Sequence, residues 1–451
     1  MVQFLSTLLL FFAIVFLTYV LMILIPFVRY PKVKQGDPKD FQFHFLIPCR
    51  DEAAVIGTTI ERALGTFPNA HLWIIDDDSD DDTANIVKGY LCRSPHVHLV
   101  QRRLPNARTG KGDALNAAFA ELQTWLPNGI DHRKVIVTVV DADGELASNA
   151  LDVVSSPSIF GDDHVGAAQI AVWMKNRYDK TPYPSRGRLA NWMGSWLVRM
   201  QDMEFRTVIA GMQSLRAATG TVGLGGNGQF TRLSVLESIA ENYGEPWHGA
   251  LLEDYELGLH VLLSWSQIKH VYDTHVSQEA LPSLRRLLTQ RTRWAQGNIQ
   301  CSSYIPEIIR SPKFDAAGVV ETCYYLVLPY LQMIGGATLI FLFAHQAYLL
   351  AQNPMSEIDT RTVAWMIPLI IIFSICPFAL WGPVYKLKAE PKISWVQSVF
   401  MGIGMWIYVY YMYVCIARAF IRIIRRKTGW SKTRRNADAT GVQNGSVAIE
   451  A

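Results

Sequence analysis

The run from residue 4 to residue 28 is apolar throughout apart from a few hydroxyls and carries no charge. At about 1.5 Å per helical residue it is long enough to cross the ~30 Å hydrocarbon core of a bilayer, which removes most soluble folds from consideration. Arg29, Lys32 and Lys34 follow the run rather than precede it, the pattern of an uncleaved anchor rather than a signal peptide. By the positive-inside tendency, the chain beyond the anchor is expected in the cytoplasm. Three further apolar blocks, at 317–350, 363–384 and 393–424, are each long enough to span. The expected layout is a transmembrane helix (1–30), a cytoplasmic domain (31–316), transmembrane or interfacial helices (317–426) and a basic, then disordered, tail (427–451). That layout contains a conflict. Three crossings after a cytoplasmic domain leave Arg422, Arg425, Arg426 and Lys427 outside, against the same tendency. A re-entrant or interfacial block, with Pro329 as a break in the first of the three, would remove it.

An apolar content of 50% fits a membrane protein, and a net charge of +3 gives no argument for a nucleic-acid partner. Six scattered cysteines form no CxxC pair and read as buried, reduced thiols. Between residues 32 and 313 the sequence turns mixed and charged, with strand-like apolar runs at 43–47, 72–75, 97–100, 135–140 and 165–170 and alanine-rich helical stretches between them. This is an α/β pattern. Trp192, Trp196, Met200 and Met203 recur at helical spacing and predict an amphipathic helix, packed on the domain's own core or lying at the bilayer interface.

Two of the expected strands end in acids, where open parallel sheets place their ligand crevice. The first is followed by Asp76, Asp77, Asp78, Ser79, Asp80, Asp81 and Asp82, six carboxylates in one turn. Alone, that turn also fits a solvated acidic loop or a weak calcium site. The second strand ends at Asp141-Ala142-Asp143. In an extended segment these two acids project to opposite sides, so one can contact a nucleoside and the other a Mg²⁺ or Mn²⁺ ion on a diphosphate. Glu253 and Asp254 follow two leucines and open a helical pattern, where carboxylates are favoured by the helix dipole. N-capping alone would account for the pair. Glycosyl transfer to an alcohol, however, needs a base for the attacking hydroxyl, and Asp254 is the candidate. Gln290, Arg293 and Trp294 fall within five residues of one helix and offer an amide for sugar hydroxyls, a guanidinium for phosphate and a flat face for a sugar ring. A basic-aromatic stretch beside the membrane would share that composition. The formal GxGxxG match at 223–228 has no βαβ unit around it and is weak as a dinucleotide signal.

The set, in this order, resembles the family 2 inverting glycosyltransferases, in particular the membrane-bound processive branch of cellulose, chitin, hyaluronan and poly-N-acetylglucosamine synthases. The resemblance covers about residues 41–300 and implies a GT-A-type mixed α/β sheet with helices on both faces, beside an α-helical transmembrane region. Pro48, Asp51 and Glu52 are similar to the family's first strand end, with Asp51 where asparagine is usual. Asp76, Asp77 and Ser79 match the turn that holds the base of the nucleotide, while Asp78 and Asp82 stand where glycines are usual. Lys111 resembles the lysine near the diphosphate. The resemblance assigns Asp141 to the nucleoside, Asp143 to the metal, Asp254 to the base with Glu253 beside it, and Gln290, Arg293 and Trp294 to the acceptor and diphosphate side. The glycine-rich segment from Gly226 to Arg232 would let backbone approach donor or acceptor, with Asn227 on the sugar side. Trp430 to Arg435 resembles a tail element of the same branch.

The expected activity is therefore inverting transfer from a nucleotide sugar, such as UDP-glucose or UDP-N-acetylglucosamine, to a growing β-linked polysaccharide. The protein would be integral to the plasma or inner membrane. Four spans are few for a pore, so export would call for an oligomer, interfacial helices or an accessory partner. Transfer of one sugar to a lipid or oligosaccharide is the runner-up. A transporter or channel with an acidic ion-binding domain is the rival of a different class, but it predicts ionisable groups within the spans, where only Glu321 and His345 stand out in the first C-terminal block.

Overall fold

The computed structural model describes residues 2–264, 266–352 and 368–427. Strands β1 (Gln42–Cys49), β2 (His71–Asp77), β3 (Val97–Arg102), β4 (Val135–Val139), β5 (Glu145–Leu146), β6 (Val165–Met174), β7 (Gln229–Arg232) and β8 (Gln267–Gln278) form one sheet. Their order is β3-β2-β1-β4-β7-β6-β8-β5. The first four run parallel, β7 is antiparallel to both neighbours, and β6 and β8 are parallel. The five expected strands are all present, and the three unexpected ones have a simple cause. β5 and β7 have two and four residues, and β8 sets Ile268, Val271, Tyr272 and Val276 among polar residues, so none makes an apolar run.

Helices α2 (Ile56–Thr66), α3 (Thr83–Leu91) and α5 (Ala150–Val154) cover one face of the sheet, while α4 (Lys111–Trp125), α8 (Leu233–Tyr243) and α9 (Glu253–Leu263) cover the other. The pleat of β1 shows how the sequence achieves this. Phe43, Phe45 and Ile47 pack with Ile56, Ile60 and Val87, and the intervening Leu46 packs with Leu115, Phe119 and Leu122. The in-register pairs Cys49↔Asp76 and Asp76↔Gln101 bring the carboxyl ends of β1, β2 and β3 to one edge.

A second group of helices comprises α1 (Val2–Val28), α6 (Arg188–Met203), α7 (Ala210–Ala218), α10 (Leu284–Cys301), α11 (Ile305–Arg310), α12 (Ala316–Gln352), α13 (Pro368–Lys388), α14 (Trp395–Tyr408) and α15 (Tyr411–Ile424). A π turn, Glu204–Ile209, joins α6 to α7. By length and composition, four segments are apolar enough to cross a membrane: α1, α12, α13 and the α14–α15 stretch. The chain leaves α1 stitched to the sheet: the Tyr30 hydroxyl donates to the His270 carbonyl at 3.1 Å and accepts the Tyr272 amide at 3.1 Å.

The expected break at Pro329 does not occur. α12 runs through it without interruption; a membrane helix tolerates the lost backbone bond where neighbours compensate. The break falls instead at Val409–Tyr410, between α14 and α15. Each half has 14 residues, about 21 Å of helix, short of the ~30 Å core. Both outer ends of this block are held by other helices. Trp395 stacks under Lys386, whose neighbour Lys388 donates to the Val28 carbonyl at the foot of α1. At the far end Arg422 donates to Gln296 of α10 at 2.7 Å, and Gln296 donates to the Lys427 carbonyl at 2.8 Å. The tail element at Trp430 to Arg435 lies outside the described residues.

Two smaller expectations are refined. In α6, Met200 and Met203 are buried against Val20, Ile23, Phe27, Trp381 and Tyr385, Trp196 meets Tyr408 edge-on, and Trp192 is exposed. The amphipathic helix thus packs on the membrane-side helices through these residues and on the sheet through Val198, which is buried against Met174 of β6. The six cysteines are all free, but only Cys49, Cys301 and Cys415 are buried, and Cys92 and Cys376 are exposed.

Candidate active site

Three arginines pair with four of the six carboxylates in the acidic turn after β2. Asp76 accepts the Ser79 amide at 3.1 Å and the Arg103 guanidinium at 2.9 Å. Burial pushes the Asp76 carboxyl up, but the bonds from Ser79 and Arg103 outweigh it and hold the group below its ordinary value. Asp77, itself buried, accepts Arg102 at 2.6 Å and the Arg108 amide at 3.1 Å. Arg108 also reaches the Asp78 and Asp80 carboxylates at 3.0 and 2.5 Å. Asp78, which replaces a usual glycine, sits at φ 59°, and Asp51 at φ 51°. Aspartate tolerates this left-handed region, so the turn keeps a glycine-type geometry without the glycine. The Asp51 carboxylate accepts the Asp80 amide at 2.8 Å, and the Glu52 amide donates to Thr83 at 2.8 Å. Pro48 pairs in register with Ile75, one residue before the turn. Pro48, Glu52 and Asp77 therefore share one wall.

The next wall lies at the end of β4. Asp141 to Gly144 is a turn, closed by the Gly144 amide to the Asp141 carbonyl at 2.7 Å, rather than the extended segment expected from the sequence. The two acids still diverge. Asp141 pairs with Lys111 at 2.8 Å, whereas buried Asp143 accepts the Glu279 amide at 3.1 Å. Only glycine fits at 144, because a Cβ there would stand 2.9 Å from the Asp141 carbonyl and 3.0 Å from Asn227 Oδ1.

Lys111 opens α4 and also donates to the Gly226 carbonyl at 2.6 Å. A Cβ on Gly226 would lie 3.1 Å from both the Asp254 carboxylate and the Lys111 amine, so the glycine is what lets these groups converge. Asn227 accepts the Asp141 amide at 3.2 Å and donates to Gln278 at 2.9 Å. The glycine-rich loop runs into β7 and not into a helix, which removes the dinucleotide reading of its pattern.

Glu253 and Asp254 form the first turn of α9. Burial and the adjacent Asp254 charge push Glu253 up to about 7, against the pull of Lys111 and Arg293. Asp254 is also raised, by burial, with Lys111 and the Tyr255 amide opposing. Burial alone would lower Lys111, but Asp141 and Glu253 override it and keep the amine protonated.

On α10, Arg293 is close enough to lower both carboxylates of the α9 pair. Trp294 faces Phe205 of the π turn at 6.2 Å, and Gln290 is half-buried on the same helix. The neighbouring Arg291 points elsewhere: it grips Glu204 with two bonds of 3.1 and 2.7 Å, and Glu204 also accepts the Tyr408 and Tyr411 hydroxyls, each at 2.9 Å. His260 bonds Tyr304 at 3.1 Å, and Tyr304 bonds Glu256 at 2.9 Å, ordinary polar contacts on the far side of α9.

The structure thus gathers Lys111, Asp141, Gly226, Asn227, Glu253, Asp254 and Arg293 into one cluster, with Asp143 two residues from Asp141 and the acidic turn at the same carboxyl edge of the sheet. Sequence reasoning missed Arg102, Arg103 and Arg108. The signal was present, since Arg102 and Arg103 follow a strand that ends at the same edge as the acids. Among the described residues no group of three His, Cys, Asp or Glu side chains converges on one point. One carboxylate plus phosphate oxygens and water suffices for a hard divalent cation, so Asp143 fits such an ion.

A mixed open sheet with acids at its strand ends and helices on both faces defines the GT-A class of nucleotide-dependent transferases. The family model described as "Glycosyltransferase like family 2" matches residues 38–297, more than half of the chain, and the chain belongs to that family. Over 405 residues it is 24% identical to a β-monoglucosyldiacylglycerol synthase of Synechocystis, a match covering 87% of this chain and 74% of the other. The synthase of the same name from Trichormus variabilis is 28% identical over 259 residues, 56% of this chain and 48% of that protein, so the chain spans about half the length of that relative. Among solved structures, the mannosyltransferase PcManGT from Pyrobaculum calidifontis, in complex with GDP-Man and Mn²⁺, superposes with a TM-score of 0.57 at 14% identity. That match covers 95% of this chain and 100% of the other, and it supports the fold alone.

Proposed function

We propose that this chain transfers a single hexose from a nucleoside-diphosphate sugar, with inversion, to a hydroxyl of a membrane lipid. One observation carries the acceptor class: the helix bearing Gln290, Arg293 and Trp294 packs along α15, and Trp294 meets Phe205 between α6 and α7. The acceptor side of the pocket therefore borders the membrane-side helices. The names of the two bacterial relatives, which specify a glucosylated diacylglycerol, support the same class.

In this reading Asp77 and Asp141 hold the nucleoside, and Pro48 and Glu52 shape the wall beside it. Lys111 and Arg293 balance the diphosphate charge. Asp254 takes the proton of the acceptor hydroxyl as that oxygen attacks the anomeric carbon, and Glu253 sets the pH at which Asp254 is ionised. Gln290, Trp294 and Asn227 orient the sugar and acceptor. Mg²⁺ or Mn²⁺, held by Asp143, would offset negative charge on the departing diphosphate. The layout of an anchor at 1–30, a cytoplasmic domain at 31–316 and membrane helices at 317–426 is supported by the α14–α15 block, whose basic end returns to the sheet domain.

A growing β-linked polysaccharide is the second reading, favoured by the spacing of Gln290, Arg293 and Trp294. The test is nucleotide release by purified protein across UDP- and GDP-sugars with Mg²⁺ or Mn²⁺, beside Asp254→Asn, with radiolabelled product partitioned into organic solvent. Release with label in the lipid phase is the expected result. Label in an insoluble polymer would replace the acceptor assignment. No release with any donor, or equal release by the variant, would overturn the mechanism.

A further inference from the structure

Glu321 is an acid within the first six residues of the membrane helix α12, and it is buried. Its two oxygens have different partners. Oε1 accepts Arg216 Nε of α7 at 2.8 Å, and Oε2 accepts the Thr221 hydroxyl at 2.9 Å. Arg216 and Thr221 are also buried, so the three polar groups are shielded from solvent. Thr221 begins the segment that carries the glycine-rich loop, and the same segment is held from three further directions. Gln213 brackets Gly223 through both its carbonyl (2.6 Å) and its amide (3.1 Å). Gln169 of β6 accepts the Gly225 amide at 2.7 Å and donates to the Asn227 carbonyl at 3.0 Å. Tyr255, the residue after Asp254, lies against Gly223, where a Cβ would stand 3.0 Å from its ring and 3.3 Å from the Arg216 guanidinium.

These contacts make a continuous chain. It starts on the membrane helix at Glu321, passes through Arg216 and Thr221 to Gly223 and Tyr255, and ends at Gly226 and Asp254, where Lys111 is also bound. A small rotation of α12 would move Thr221 and the Arg216 head together, and the loop has no slack with which to absorb it, being fixed at 223, 225 and 227. Hence we propose that Glu321 is a positioning residue: through Arg216 and Thr221 it sets where the Gly223–Gly228 loop holds Lys111 and Asp254, coupling the seating of α12 to catalysis. This rests on the transferase reading of the pocket. It also gives the ionisable residue in the first C-terminal span a role other than ion conduction.

The test uses full-length protein reconstituted in lipid, with Glu321→Gln, Thr221→Val and the charge-swapped Arg216→Glu/Glu321→Arg pair. Amide hydrogen exchange at 223–228 is expected to rise about tenfold in Glu321→Gln, while exchange in β1 and β2 stays at the wild-type rate. kcat is expected to fall about tenfold or more with donor KM within about twofold, since a displacement well under 1 Å suffices for that loss. The milder Thr221→Val, which removes one arm only, should move both readouts in the same direction by less, and the swapped pair should recover most of kcat. Wild-type exchange at 223–228 together with wild-type kcat in folded Glu321→Gln would overturn the proposal, as would exchange rising uniformly across the sheet. If the unmodified protein turns over no donor, the transferase reading fails, while exchange at 223–228 still decides the coupling.

Discussion

The two acidic walls of the site differ in how their carboxylates are compensated. At the turn after β2, Asp76, Asp77, Asp78 and Asp80 are matched by Arg102, Arg103 and Arg108 at 2.5 to 3.1 Å, so four of the six carboxylates are paired with arginine before any ligand arrives. At the start of α9, buried Asp254 and half-buried Glu253 have Lys111 and Arg293 as the cations that lower them, and Lys111 is already paired to Asp141. The first wall is a finished scaffold. The second is under-compensated, and raised carboxylates at neutral pH are what proton transfer requires.

The sharpest way to break this contrast is Asp254→Asn, which keeps the shape and removes the base. It should lower kcat by about 10²- to 10⁴-fold without changing the donor KM, read by nucleotide release. Lys111→Met should come next, at about 10²-fold in kcat/KM, because it leaves Asp141, Glu253 and Asp254 without their shared cation. A pH series then separates the walls. If Asp254 must be ionised, activity falls as pH drops through its raised range, so the acid limb should lie above the ordinary aspartate range and move to lower pH in Glu253→Gln. Stability should run the other way. A carboxyl whose folded value is raised from 4.5 to about 7 stabilises the fold fully below pH 4.5 and loses that contribution as pH rises through 7. Unliganded protein should therefore unfold at a higher temperature at pH 5.5 than at pH 7.5, by at most about 3 kcal/mol from this group, and Glu253→Gln should flatten the difference. The scaffold wall should respond least. Asp78→Gly relieves a left-handed aspartate and gives up two partly exposed ion pairs, to Arg108 and Arg103, so thermal denaturation should show a change within about 0.5 kcal/mol.

How much of this was legible in the sequence follows from the range of each interaction. Strand ends, the two acidic clusters and the opening of α9 are local patterns, and the chain displays them within a few residues. The arginine partners of Asp76 and Asp77 lie 27 and 25 residues away and are set by the β2–β3 register, which no local pattern encodes. Glu204 and Arg291 meet across 87 residues for the same reason. The apolar block at 393–424 reads as one span because hydropathy averages over the Val409–Tyr410 break, which only tertiary contacts reveal. The turn at Asp141 was misread as extended because DxD spacing says nothing about where pairing with β1 stops. It stops at Val139, and the chain bends once the ladder is gone.

Tyr30 adds a consequence for the enzyme's reach. By bonding both His270 and Tyr272 it ties the foot of α1 to strand β8, whose last residue, Gln278, holds Asn227 in the pocket. In the proposed reading, Asp254 would therefore hang at a set altitude above the lipid head groups. A domain on a slack tether could lower itself to any acceptor, whereas this one would work as a fixed-height gantry, and acceptors would be sorted by how far their hydroxyl rises to meet it.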